Sequence, residues 1–105
     1  MLGEGGTALS RLQAAVREFQ AREELPVDNQ QLRAVIDALE GEFSGNARRS
    51  QRNGEHLAGG NITAASWIAR TCNMSVTSAA DRLRVGEQLE SLPRVAAALA
   101  SGEIG

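Results

Sequence analysis

Lysine and tyrosine are absent from this 105-residue chain, and cysteine, histidine and tryptophan each occur once. A single cysteine, Cys72, excludes an internal disulfide and fits a reducing, cytoplasmic setting. A zinc site needs several Cys or His ligands at fixed spacing, and His56 and Cys72 have no such companions. His56, next to Glu55 in a glycine-rich stretch, reads as an exposed loop histidine. As a nucleophile Cys72 would need a histidine base, and only His56 is on offer. With no paired acids and bases to assemble either, no catalytic residue, metal or cofactor is expected, and the chain reads as a non-enzyme. No apolar stretch approaches the roughly 20 residues that span a bilayer, so no membrane span is expected. The opening Met1-Leu-Gly-Glu-Gly-Gly6 lacks the basic and apolar segments of a signal peptide.

Aromatic residues are nearly as scarce, with only Phe19, Phe43 and Trp67. The core must therefore come from Leu, Val, Ile and Ala, without the β-branched runs that a sheet requires. Ala, Leu, Arg, Glu and Gln dominate the interior of the chain, and all are strong helix formers. The expected fold is all-α: an N-terminal antiparallel helical hairpin, then a helix-turn-helix-like unit and a short C-terminal helix. Residues 1–105 would form a single helical domain, with the hairpin at 7–53, a Gly-rich connection at 54–62 and the helix-turn-helix-like region at 63–105. All eleven basic residues are arginine, and the net charge is −2. The charge is uneven: residues 1–43 sum to −4, residues 44–62 to +2, and residues 63–105 balance. A dedicated nucleic-acid binder is usually more basic than this.

The first helix is predicted from about Thr7 to Glu24, with Leu9, Leu12, Val16 and Phe19 as one stripe and Pro26 as its stop. Asp28 is a natural N-cap for a second helix, with Gln31 three residues on and Val27 placed to staple onto Leu32. The stripe of that helix is Leu32, Val35, Ile36, Leu39 and Phe43, and the two stripes are expected to face each other. Beyond Phe43 the stripe fades, and the stretch carrying Arg48, Arg49 and Arg52 is expected to overhang as a solvated arm or to fray. Gly54, Gly59 and Gly60 mark a flexible connection. It lacks the Lys-Ser/Thr ending of a phosphate loop, and no strand precedes it.

From Ile62 the signals sharpen. Thr63 is a good N-cap, Ile62 can staple onto Trp67, and the helix from Ala64 to about Thr71 is expected to bury Trp67 and Ile68. Asn73 suits the left-handed residue that ends a helix, Met74 plugs the turn, and Ser75 caps the next helix. That helix, Val76 to about Ser91, is expected to bury Val76, Ala79, Ala80, Leu83, Gly86 and Leu89. Pro93 can open a last helix, packing Val95, Ala96 and Leu99 and stopping near Gly102. Ala69 and Ala79 are small where two helices joined by a short turn must touch. In a DNA reader of this kind, the second helix would present Thr77, Ser78, Arg82 and Arg84 to the major groove. Arg70, Ser75, Arg48, Arg49 and Arg52 would contact phosphate. Asp81, Glu87 and Glu90 on the same helix would repel phosphate, and a plain helical corner accounts for the same spacing.

Several short elements of the second half occur together in a known order. They are Ala65-Ser66-Trp67-Ile68-Ala69, then Met74-Ser75 with Ala79, Leu89-Glu-Ser-Leu92-Pro93, and Ala97-Ala98-Leu99-Ala100-Ser101-Gly102-Glu103-Ile104. On these residues the stretch Ile62–Gly105 resembles domain-of-unknown-function family 222. Members of that family typically lie N-terminal to HNH endonuclease domains in actinobacterial proteins, and the helical hairpin fits its less distinctive opening. The resemblance implies a bacterial accessory module of a nuclease or mobile-element protein, with the nuclease domain in the same or a partner chain. An HNH centre needs histidines and an asparagine around a metal, so no nuclease role passes to any residue here. The family continues with more helices past the equivalent of Ile104-Gly105, and the chain is expected to be part of a longer protein. Double-stranded DNA is one expected partner. The alternative is a protein-interaction or homodimerisation module without DNA contact, suggested by the acidic hairpin and the long second helix.

Overall fold

In a computed structural model, residues 6–60 and 63–101 are described, the side chains only as far as residue 92. The described residues form five helices and no strand, so the chain is all-α. The helices are α1 (Ala8–Gln20), α2 (Asn29–Arg52), α3 (Glu55–Ala58), α4 (Ala64–Thr71) and α5 (Val76–Ser101). The chain divides into two compact units, Met1–Gln31 and Leu32–Gly105, the boundary falling in the first turn of α2.

In the first unit, the Thr7 hydroxyl accepts from the Ser10 N–H at 3.1 Å and caps α1. The helix stops at Gln20, four residues short of the predicted end, well before Pro26. There the Arg22 guanidinium takes over, donating to the Phe19 carbonyl at 2.8 Å and lying 4.1 Å from the centre of the Phe19 ring. Leu9, Leu12, Val16 and Phe19 are all exposed. Asp28 acts as the predicted cap, its carboxylate accepting from the Gln30 N–H at 2.8 Å.

In the second unit, α2 does not fray beyond Phe43. It continues to Arg52 and buries Ser44 and Ala47. The stripe fades there because the helix changes neighbours: small residues replace large ones where α5 lies close. Gly86 of α5 marks the approach, since a Cβ on it would overlap the Ser44 carbonyl oxygen and stand 2.7 Å from the Arg48 Cβ. The Gly-rich connection contains the short helix α3, entered through Gly54 at φ 72°, a left-handed conformation that glycine adopts freely.

Helices α4 and α5 meet as their sequences require. Thr63 caps α4 by accepting from the Ser66 N–H, and Ser75 caps α5 by accepting from the Ser78 N–H, at 3.1 and 3.0 Å. Between them Asn73 sits at φ 56°, and the Met74 N–H reaches back to the Ala69 carbonyl at 2.9 Å. This six-to-one bond closes a helix end of the Schellman type. The core is Ala47, Ala64, Ile68, Ala69, Ala79 and Leu83, with Phe43, Ala65, Trp67 and Met74 packed against it. Ala79 is fully buried, as a tight crossing demands.

Some expectations are corrected. Val76 and Leu89 are exposed, because α5 turns only the Ala79–Leu83–Gly86 side inward. Helix α5 also runs through Pro93 to Ser101 rather than restarting there. Proline's φ suits a helix interior, and its missing N–H leaves the Leu89 carbonyl without its helical donor. The Ile62 staple and the stop near Gly102 lie outside the described residues, as do the packing side chains of Val95, Ala96 and Leu99.

Candidate nucleic-acid interface

The nine residues expected to meet DNA divide among three helices and the turn before α5. Arg48, Arg49 and Arg52 lie in the last two turns of α2. Arg70 is in the last turn of α4, while Ser75 precedes α5 and Thr77, Ser78, Arg82 and Arg84 belong to its first turns. The structure brings Arg48 and Arg52 together through a carboxylate. Arg48 Nε lies 3.2 Å from Glu90 Oε1, and Arg52 Nε lies 2.7 Å from Glu90 Oε2. Arg48 also donates to the Gln51 side-chain oxygen at 2.7 Å and stands 3.7 Å from Glu87. Glu87 and Glu90, expected to repel phosphate, thus hold the basic end of α2 against α5.

Arg82 points back to α2 rather than outward. Its Nε and Nη2 donate to the two oxygens of Glu40 at 2.9 and 3.3 Å, a two-pronged bond that fits the planar guanidinium. The hydrogen bond from Arg82 holds the Glu40 carboxyl below the ordinary carboxylate range. Partial desolvation opposes this, and the charges of Arg82 and Arg33 add to it. The same bond holds the Arg82 guanidinium above its usual value. Arg84 pairs with Asp81 at 2.8 Å, and Arg49 donates to Asn46 at 3.2 Å, both within one helical turn. The Ser75 hydroxyl serves as a cap, Thr77 is exposed, and Ser78 is half-buried.

The sequence reading missed Glu40 as the partner of Arg82. A pointer existed for the other pair: Arg48 and Arg52 stand four apart, and Glu87 and Glu90 three apart, so each pair shares one helix face. Which arginine would meet which acid is a tertiary fact.

Beside these pairs lies an apolar trough of about 360 Å³, lined by Ile36, Leu39, Glu40, Phe43, Cys72, Met74 and Arg82. Cys72 is exposed, and His56 Nδ1 is buried without a hydrogen-bond partner. Among the described residues, no group of three or more His, Cys, Asp or Glu is placed to hold a metal ion. No described helix is long and apolar enough to cross a membrane.

No curated protein and no solved structure matches the chain. One family model does match, over residues 19–105, from the end of α1 to the last residue. With most of its length so matched, and with the elements around Trp67, Met74 and Ala79 folded into the α4–α5 corner, the chain belongs to the family described as Domain of unknown function (DUF222).

Proposed function

We propose that this chain is a non-catalytic association module that joins two copies of itself, within a larger HNH-nuclease or mobile-element protein. The supporting observation is the exposure of ordered apolar faces: Leu9, Leu12, Val16 and Phe19 on α1, and Val35, Ile36 and Leu39 on α2. Apolar residues scattered singly on a surface need no explanation. Here the spacing collects them into stripes, and contiguous apolar surface is the usual mark of a protein contact. Light scattering from about 5 to about 500 μM tests the reading by mass action. The mass is expected to climb from monomer toward dimer, and an unchanging monomer mass would refute it.

Duplex DNA contact is the second reading, favoured by the turn-linked α4–α5 pair with Thr77, Arg70 and Arg84 exposed beside it. It ranks lower because Arg48, Arg52 and Arg82 already hold carboxylates. An arginine neutralised in this way gains less from meeting phosphate, since counterion release drives such binding. In an anisotropy titration of a labelled duplex at about 50 mM salt, no saturation is expected below about 100 μM. Micromolar binding that disappears in Arg84→Ala would reverse the ranking.

A further inference from the structure

The seam residues and one small pair of 32–43 in α2 recur when the segment is read in either direction, whereas its charged positions do not. From a midpoint between Asp37 and Ala38, Leu32 mirrors Phe43, Ala34 mirrors Gly41, and Ile36 mirrors Leu39. Leu32, Ile36, Leu39 and Phe43 are spaced four, three and four apart, the spacing that keeps a seam on one side of a helix. Ile36 and Leu39, at its centre, are 41% and 37% exposed, while Leu32 and Phe43 are half-buried. The close approach of α5 at Gly86 meets α2 at Ser44 and Arg48, about a third of a turn or more around the helix from the seam, while Arg82 of α5 meets Glu40 on the seam's flank. The seam is thus open at Ile36 and Leu39, while Phe43 also packs against the core of its own chain, and the seam forms one wall of the trough closed on its other side by Cys72 and Met74.

We infer that this seam takes the same seam of a second copy, antiparallel, about a two-fold axis at that midpoint. The inference rests on the association reading above and names its surface. Under the two-fold, Ile36 packs on the partner's Leu39 and Leu32 on the partner's Phe43, each contact occurring twice, as a self-complementary interface requires. Charge complementarity selects a second copy as the occupant. Arg33 and Glu40 stand seven residues, or two turns, apart on one flank of the seam. Antiparallel pairing sets Arg33 beside the partner's Glu40, and Glu40 beside the partner's Arg33. Arg33 is free to move, since its present bond to Asp37 joins two well-exposed side chains. Glu40 already holds Arg82 of its own chain, so the partner's Arg33 joins an existing ion pair rather than meeting a free carboxylate. The antiparallel sense also opposes the helix dipoles and sends the two α4–α5 corners to opposite ends of the pair.

The overlap of twelve residues spans about 18 Å. A contact this short is expected to be weak, with association in about the micromolar range.

Sedimentation equilibrium on the full chain, with circular dichroism to confirm the fold, tests the pairing. Leu39→Asp is expected to abolish association. Arg33→Glu, on an exposed side chain paired with the exposed Asp37, is expected to weaken it roughly fivefold or more. Direction is read by disulfide trapping on a Cys72→Ser background. Antiparallel pairing makes an equimolar mixture of Ile36→Cys and Leu39→Cys chains cross-link to each other more than to themselves. Parallel pairing gives the two self-linked species instead and overturns the inference. So does a dimer indifferent to Leu39→Asp, including one broken by Leu12→Asp in α1. In those outcomes the association reading survives, whereas a chain monomeric throughout removes both.

Discussion

At Gly86 two opposing effects of a single methyl group can be compared. Alanine in a helix interior is worth about 1 kcal/mol more than glycine, which alone would make Gly86→Ala stabilising. Here the added Cβ would overlap the Ser44 carbonyl oxygen and crowd the Arg48 Cβ. Backbone cannot swing aside as a side-chain tip does, and overpacking of this kind costs about 1–3 kcal/mol. The crowding term wins. Gly86→Ala is expected to lower the urea midpoint, while Gly45→Ala on α2, with open space at its Cβ, is expected to leave it unchanged or raise it.

Glu40 offers a second test on a single side chain. Its carboxyl is held below the ordinary range by Arg82, so its contribution to stability is complete above the unfolded carboxylate range. That contribution is lost as pH falls through the lowered folded value. Glu40→Gln is therefore expected to be less stable than the parent near pH 7, with the gap closing as pH falls below the ordinary carboxylate range. Paired thermal melts across that window check the sign, and because the pair is exposed the gap should be small and shrink further in salt.

Among the elements, the α4–α5 corner was legible in the sequence because its determinants are local. Thr63, Asn73, Met74 and Ser75 each act on backbone within a few residues, through caps and a left-handed turn. Thr63→Ala is expected to cost about 1 kcal/mol in urea denaturation through loss of the Ser66 bond. Asn73→Gly, at φ 56°, is expected to gain a few tenths up to about 1 kcal/mol. The ends of elements were less legible. Arg22 ends α1 before Pro26 can, α3 forms inside a Gly-rich stretch, and α5 passes Pro93. Local propensity marks where a helix can stop, and packing decides whether it does. The candidate site was the least legible: its residues were placed on the right elements, but Arg48–Glu90 and Arg82–Glu40 each join residues 42 apart in sequence. No spacing rule reaches that far.

For the molecule as a whole, all the buried side chains among the described residues lie between Ser44 and Leu83, within the second unit. Residues 27–105, which retain the Asp28 cap, are therefore expected to unfold with nearly the urea midpoint of the full chain. They should also self-associate as the full chain does if the α2 seam is the contact. Helicity followed by circular dichroism, together with light scattering on the shortened chain, checks both expectations.

Among the described residues, four of the six buried apolar ones are alanines, Ala47, Ala64, Ala69 and Ala79. A centre made largely of methyl groups releases little hydrating water when it forms, so only a small rise in heat capacity on unfolding is expected. The curve of stability against temperature is correspondingly expected to be shallow, with gradual rather than abrupt melting. For such a molecule, the oily flanks left in water are a reserve of cohesion that a neighbour can supply and that its own interior does not.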